Sequence, residues 1–334
     1  MRYLGGKGKM TQHIVKAIDD CCRGVESILD VFGGSGIVSQ AFKQRGLRVI
    51  SNDCLYFSYC LLRGITALNH APSNHSQLLK QLNDIDCTNL RELPFIAENY
   101  SPNDGIGRMF FTHQNALKMD AVRQQIEQWK TIGAIDEDTY YYLLASLISA
   151  IPFVANITGT YAAYLKYWDK RAHKALTLLP CDVIDNGKEN IAMNVDFAEV
   201  LKTPTDIVYA DPPYNSRDYL SNYHLLETIA LYDNPEIKGT SGVRVQRREK
   251  SVFCSKRYVE SAFETLINSC SSHYVIISYN NEGLMDSNRL ADMCRDYALP
   301  GTFVLREFDY RRYKNKIPNN NAGLREQLFI FEKR

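Results

Sequence analysis

Several common signatures are missing from this 334-residue sequence. No stretch approaches the roughly 18 apolar residues of a membrane helix, and the first residues contain no signal-peptide core, so we expect a cytosolic protein. The nine cysteines form neither a CxxC pair nor a Cys/His ligand spacing, which favours reduced thiols and disfavours a metal site. GxGxxG and GK[ST] are also absent, so neither a dinucleotide nor a nucleoside triphosphate is specifically indicated.

A strong net charge is missing as well. The formal charge of +1 does not indicate a nucleic-acid-binding domain, which is usually basic. Basic residues nevertheless concentrate in two stretches, 244–257 and 306–316, and the second also contains Tyr310 and Tyr313. Such clusters favour a polyanionic partner over an ordinary solvated surface, although either interpretation is compatible with the composition.

The most informative stretch is 206–214. An apolar run from Ile207 to Tyr209 predicts a buried strand, and two prolines end it directly after Asp211. The chain must then turn into a stiff loop that presents Asp211, the Pro212 carbonyl and the Tyr214 ring at the carboxyl end of the strand. Two acceptors beside a flat aromatic ring suit a planar amine. On these residues alone, a purely structural Asp-Pro turn is equally acceptable.

A second strand–turn–helix unit lies near the start of the chain. Residues 27–32 predict a strand, a glycine-rich turn follows at 33–36, and a helical pattern begins at Ile37. Asp30 within this strand suits a cationic group rather than a phosphate. Asp53 ends the next strand about 20 residues later, where an acidic residue commonly binds ribose hydroxyls. It could also cap the following helix, or Asn52 could do so.

The alternation of strands and helices stops near Thr66 and resumes near residue 186. We therefore predict an α/β protein with a doubly wound sheet of seven strands, the last two antiparallel, formed by residues 1–66 and 186–334. A mainly helical insertion, residues 67–185, interrupts it. Within the insertion, 158–174 mixes aromatic and basic residues as a nucleic-acid-binding loop would.

In this order, the pieces resemble the Dam-like family of DNA adenine-N6 methyltransferases that accompany restriction systems. The resemblance covers residues 2–9, 28–36, 52–53, 196–197, 206–214 and 274–280, and is only loose in the insertion. It implies a Rossmann-like methyltransferase fold and S-adenosylmethionine as cofactor. It also implies double-stranded DNA as substrate, flipping of the target adenine, and a bacterial cytoplasmic or nucleoid location. A cognate restriction endonuclease would act separately, no membrane or metal would take part, and the protein would be a monomer or weak dimer.

The resemblance assigns roles to individual residues. The catalytic loop would be Asp211, Pro212, Pro213 and Tyr214, with Asp211 and the Pro212 carbonyl accepting the amine hydrogens and Tyr214 stacking on adenine. The cofactor-binding residues would be Tyr3, Lys7, Asp30, Phe32, Gly33, Gly34, Gly36, Asp53, Asp196, Phe197 and Asp211. The predicted DNA-binding residues are Tyr161, Lys166, Arg171, Arg247, Arg248, Lys256, Arg311 and Lys314.

Three alternatives stay open. The same site would accept another planar amine, such as N4 of cytosine, an RNA base or a protein amide. A non-catalytic DNA-binding protein of the same fold is a second alternative, which the intact Asp211, Pro212 and Tyr214 disfavour. A nicotinamide-dependent dehydrogenase is a third, which the absence of GxGxxG disfavours.

Overall fold

The computed structural model describes residues 7–88, 90–102, 107–245, 250–309 and 323–334. Five of the predicted functional residues, together with the Gly5-Gly6 pair, lie outside these ranges. They are Tyr3, Arg247, Arg248, Arg311 and Lys314, and the neighbouring Tyr310 belongs to the same basic cluster.

The central sheet has seven strands, as the sequence predicts. They are β1 Ser27–Asp30, β2 Arg48–Asn52, β3 Ile191–Met193, β4 Ile207–Ala210, β5 Tyr274–Asn280, β6 Val304–Asp309 and β7 Arg325–Glu332. Their spatial order is β3-β2-β1-β4-β5-β7-β6. The first five are parallel, whereas β7 runs antiparallel to both β5 and β6. The predicted antiparallel pairing of the last two strands is therefore confirmed.

Eleven α-helices are found in the described residues. They are α1 Thr11–Cys21, α2 Ile37–Gln44, α3 Tyr56–Leu61, α4 His75–Asn83, α5 Phe95–Tyr100, α6 His113–Thr131, α7 Glu137–Ala150, α8 Phe197–Val200, α9 Tyr219–Leu231, α10 Val259–Ser269 and α11 Ser287–Tyr297. A π-helical turn, Leu62–Thr66, continues α3. The doubly wound α/β fold predicted from the alternation of elements is confirmed.

Helices cover both faces of the sheet because alternate strand residues point to opposite sides. On one face, Ile14 and Phe42 of α1 and α2 pack with Ile28, Ile207 and Ile276. On the other, α8, α10 and α11 pack against the intervening strand residues, such as Leu29, Val208 and Val275. Full burial of each such side chain contributes about 1.5–3 kcal/mol, so these two layers hold the sheet rigid beneath its loops.

The helical insertion shares its hydrophobic core with two helices of the α/β part. One cluster of buried side chains joins α4–α7 to α3 and to α9, which follows the 211–214 turn. At Gly64, in the π-helical turn, an added Cβ would stand 2.2 Å from the Tyr141 carbonyl oxygen of α7. The chain can pass that closely only without a side chain. The division at residues 66 and 186 stays a prediction, but the two parts are packed against each other.

Two further predictions concern the whole chain. All nine cysteines are free, so Cys21 and Cys22 form no disulfide. Among the helices in the described residues, none is both long and apolar enough to cross a membrane.

Candidate active site

Four carboxylates lie at one edge of the sheet because each follows, or ends, a parallel strand. Asp30 ends β1, Asp53 follows β2, Asp196 lies beyond β3, and Asp211 follows β4. These four strands are neighbours in the order β3-β2-β1-β4. The carboxyl edge of such a sheet is the usual place for a ligand. The sheet thus brings together acidic residues that lie up to 181 positions apart in the sequence.

The glycine turn after β1 forms the bottom of a cleft. The lining of this cleft includes Lys7, Asp30, Phe32, Tyr209 and Asp211 together with residues 33–35, 37 and 38. Gly34 and Gly36 have φ values of 52° and 77°, a conformation that favours glycine. We expected the glycines chiefly to let a ligand approach. At Gly33 the close neighbour is the protein itself, since an added Cβ would lie 2.8 Å from Leu62 Cδ1.

Asp30 is buried with one oxygen left over. Only 1% of the residue is exposed, and Ser39 Oγ donates a hydrogen bond to Oδ2. Oδ1 is buried and accepts no hydrogen bond from any described residue. Burial raises the pKa of this carboxyl to about 7, against the lowering effect of Ser39. An unsatisfied buried carboxylate costs free energy, and a bound cation at the cleft would remove that cost.

Lys7, which lines the cleft, joins the carboxylates of Asp211 and Glu326. Its Nζ lies 3.2 Å from Asp211 Oδ1 and donates a hydrogen bond to Glu326, a residue of β7 that is only 1% exposed. Burial lowers the pKa of Lys7, but the two carboxylates outweigh burial and the pKa is raised overall. Burial raises the pKa of Asp211 to about 7; Lys7 lowers it, and Glu326 raises it. Lys7 thus stays charged and holds Asp211 in place.

The turn after β4 has the predicted components. Pro212 is buried, and Asp211 keeps 16% of its side chain exposed at the cleft. The Tyr214 ring is 7% exposed and contacts Tyr279 edge to face, with centroids 6.1 Å apart. Lys7 Nζ stands over the same ring, 5.3 Å from its centroid. The turn therefore places the acceptor and the ring side by side, with little of the ring surface free.

Asp53 organises the turn from the neighbouring strand. Its Oδ2 accepts a hydrogen bond from Gly34 N at 2.9 Å, and its Oδ1 accepts one from Leu55 N at 2.8 Å. Asn52, the other residue that could have capped α3, does not cap it. Its side chain instead bonds the backbone of Val31 and Val195, because it lies inside the sheet rather than at the helix start.

Three phenylalanines form an aromatic cluster beside the cleft. Phe32 and Phe197 lie nearly parallel, with centroids 6.2 Å apart. Phe253 contacts both of them edge to face, at 5.3 Å and 5.0 Å. Asp196 is exposed and caps α8 through a 2.9 Å bond from Ala198 N to its Oδ1. The sequence interpretation missed Phe253, which sits among basic residues and has no periodic pattern around it. It also missed Glu326.

The structure places the predicted DNA-binding residues in different environments. Tyr161 is 2% exposed, and its ring packs in the helical core against Tyr223, so its assignment as a DNA contact is not supported. Arg171 is partly buried and donates to the Ile157 carbonyl oxygen. Lys166 and Lys256 are exposed, as a phosphate-binding role requires.

Arg244 belongs to the basic stretch 244–257 in the sequence but does not contribute to an exposed basic surface. It is 8% exposed, and its two terminal nitrogens bond the two carboxylate oxygens of Asp233 at 3.2 Å and 2.7 Å. Its charge is therefore neutralised within the protein. Nowhere in the described residues do three His, Cys, Asp or Glu side chains stand close enough together to hold a metal ion.

Comparison with known proteins agrees with this geometry. The family model for D12 class N6 adenine-specific DNA methyltransferases matches residues 3–290. The chain is 40% identical over its whole length to the Type II methyltransferase M.FokI of Planomicrobium okeanokoites, and 38% identical to the modification methylase StsI of Streptococcus sanguinis. It spans 53% and 52% of these two relatives. It is also 38% identical to the Type II methyltransferase M.NlaIII of Neisseria lactamica and covers 99% of that protein. The chain belongs to the D12 class of N6 adenine-specific DNA methyltransferases.

Proposed function

We propose that this protein transfers the methyl group of S-adenosylmethionine to N6 of adenine in double-stranded DNA, as the modification enzyme of a restriction-modification system. The observation that carries the proposal is the position of Asp211, held by Lys7 at the carboxyl edge of the sheet beside the cleft that Asp30 lines. Because the chain spans about half of two of its relatives, the activity of the complete protein and its association with a nuclease belong to the proposal.

The cleft suits S-adenosylmethionine on the evidence of its own residues. The orphaned Oδ1 of Asp30 offers an acceptor to the amino-acid ammonium group. Asp53 and Asp196 would bind the ribose hydroxyls and the adenine amine, and Phe32 and Phe197 would flank the adenine ring. Phe253 would support both rings from the side. When bound, this cofactor supplies an electrophilic methyl group on a positively charged sulfur.

Asp211 and the Pro212 carbonyl would accept the two hydrogens of the target amine. These hydrogen bonds localise the nitrogen lone pair and aim it at the methyl group, so positioning supplies much of the rate enhancement. The new N–C bond forms as the S–C bond breaks, and the methylated amine then loses a proton. With a pKa of about 7, Asp211 is able to accept that proton.

Tyr214 would stack on the adenine after the base leaves the duplex. Base flipping costs a few kcal/mol, and stacking on an aromatic ring recovers about 1–3 kcal/mol. Because only 7% of Tyr214 is exposed, stacking requires its ring to become more exposed when DNA binds.

The loop of residues 157–169 is our candidate for DNA contact. Asn156, fully buried, lies at its base, with Nδ2 within 3.1 Å of the carbonyl oxygens of Met109, Leu165 and Tyr167. Its Oδ1 accepts a hydrogen bond from Asp169 N at 2.9 Å. The loop is thereby fixed at both ends, and it exposes Lys166 together with the ring of Tyr167.

The direct test is incubation of the purified protein with tritiated S-adenosylmethionine and methylation-free duplex DNA, followed by nucleoside analysis. We expect label in N6-methyladenine, and sequencing of the product would report its context. Label in N4-methylcytosine, or label only with an RNA substrate, would contradict the proposal and favour the corresponding alternative amine. An Asp211→Ala variant serves as the negative control.

A further inference from the structure

The buried carboxylate of Glu326 lies opposite the catalytic turn on an antiparallel strand. Glu326 is the second residue of β7, and it pairs with Asn280 of β5 and Phe308 of β6. Because β7 runs against the parallel strands, its start lies at their carboxyl ends. A glutamate that is 1% exposed inside a sheet is costly unless charged or polar partners compensate it.

Two donors compensate it. Lys7 Nζ forms an ion pair with Glu326 Oε1, and Ser278 Oγ donates to the same oxygen at 3.0 Å. Lys7 is also the group that contacts Asp211 Oδ1. One ammonium group is therefore shared between two carboxylates, of which Asp211 is at the cleft and Glu326 is sealed behind it.

We propose that Glu326 is a positioning residue for methyl transfer. It anchors the Lys7 ammonium group, so that Lys7 fixes Asp211 but occupies only one of its two carboxylate oxygens. Anchored at Glu326, Lys7 contacts Asp211 through Oδ1 and leaves Oδ2 to accept the target amine. Without the second carboxylate, Lys7 would pair fully with Asp211 and compete with the amine for the same oxygens. The inference rests on the proposed function, since it refines the role of Asp211 in the same site.

The charges around Asp211 define a signature for this role. The titratable groups that face it in the described residues are Lys7, Asp30, Tyr209, Tyr219 and Glu326. Of these, Lys7 lowers the pKa of Asp211, while Glu326 and Asp30 raise it. Removal of the Glu326 charge should therefore shift the acid limb of the kcat profile to lower pH. A defect of packing alone would not move the limb in that direction.

The experiment compares Glu326→Gln with the wild type and with Glu307→Gln. Glu307 lies on β6, pairs with Arg325 and is partly exposed, so it is a matched glutamate of the same sheet outside the cluster. For Glu326→Gln we expect kcat to fall about 10–100-fold, with the KM for DNA and the cofactor Kd within about threefold. The acid limb should move to lower pH. Glu307→Gln should keep the wild-type kcat and profile.

A second background makes the test specific. In a Lys7→Gln protein, the additional Glu326→Gln change should alter kcat by less than about threefold, because its effect acts through Lys7. A wild-type kcat in Glu326→Gln, or an equal loss in both backgrounds, would overturn the inference. If the wild type methylates no adenine, the proposed function fails. In that case, thermal unfolding midpoints test whether Glu326 acts through Lys7. Glu326→Gln should lower the midpoint of the protein that retains Lys7 but not that of the Lys7→Gln protein. Equal midpoint shifts in both proteins would overturn the inference.

Discussion

Buried carboxylates serve opposite purposes in the helical part and at the sheet edge. In the helical part, Asp120 accepts hydrogen bonds from Ile96 N and Ala97 N, at 3.0 Å and 2.9 Å, and so caps α5. Glu227 does the same for Tyr56 N and Phe57 N at the start of α3. At the sheet edge, Asp30 keeps an orphaned oxygen, and Asp211 shares its only described cation with Glu326.

Burial and pKa do not separate the two groups. Burial raises the pKa of Asp120 to about 6 and that of Asp30 to about 7. What differs is the partner. The helix carboxylates have both oxygens matched to backbone donors, whose positive helix end favours a negative charge. Asp30 and Asp211, by contrast, line a cleft and have capacity left for a ligand.

The largest effect is expected at Asp211. Asp211→Ala should lower methyl transfer about 10³-fold or more, because the amine loses its acceptor, while cofactor binding changes only a few-fold. Tritiated-methyl transfer and calorimetric titration measure the two quantities. Transfer that persists near the wild-type rate would remove Asp211 from the mechanism.

Asp30→Asn should make the protein more stable above pH 7 and weaken its cofactor binding about tenfold or more. The folded pKa of about 7 exceeds the usual 3.8, so the folded state holds a proton that the unfolded state has lost. Stability therefore falls as pH rises from about 4 to 7, at a cost on the order of 2–4 kcal/mol that persists above pH 7. Asp211 contributes a slope of the same sign, so part of the slope should remain in the variant. Urea unfolding at pH 5 and pH 8 measures how the free energy of unfolding depends on pH. A difference between the two pH values that is as large in the variant as in the wild type would contradict the prediction.

Asp120→Ala should show the reverse pattern. At pH 5, below the folded pKa of about 6, two backbone donors and the Tyr232 hydroxyl lose their acceptor, which costs about 1–3 kcal/mol of unfolding free energy. Methyl transfer at a temperature where the protein is folded should stay within about twofold of wild type. A large loss of kcat without a fall in the thermal midpoint would break the distinction between capping and catalytic carboxylates.

The smallest effect is expected at the exposed lysines. Lys166→Ala and Lys256→Ala should each weaken DNA binding modestly and reduce the slope of log affinity against log salt by about 1, if each binds one phosphate. Lys16→Ala removes an exposed charge that already pairs with Asp20 on α1, and serves as the charge-matched control. Equal slopes in all three variants would show that Lys166 and Lys256 are ordinary surface residues without a role in phosphate binding.

The residues that line the cleft could be predicted from the sequence where a motif occupies a single turn. Asp211, Pro212 and Tyr214 lie within four consecutive positions, and Asp30 lies three positions before Gly33, so their juxtaposition follows from a strand that ends in a turn. The insertion was harder to interpret, because a tyrosine in a mixed aromatic and basic stretch can face DNA or the core. Tyr161 faces the core, since its backbone N–H bonds Asn222 O and its carbonyl oxygen bonds His224 Nε2. From the sequence alone, Arg244 resembles a phosphate-binding residue, whereas in the structure it pairs with Asp233.

Hydrophobic periodicity and short motifs are local properties, so the doubly wound fold, the family and the turn of residues 211–214 can be predicted from the sequence. Contacts across the sheet become visible only in the folded chain. Glu326 follows Lys7 by 319 positions, and no local pattern marks it as part of the site. The two residues meet because β7 inserts antiparallel beside β5 and brings its first residues to the carboxyl edge of the sheet. There the Lys7 ammonium group lies between the carboxylates of Glu326 and Asp211, where it orients Asp211 and lowers the pKa that burial raises.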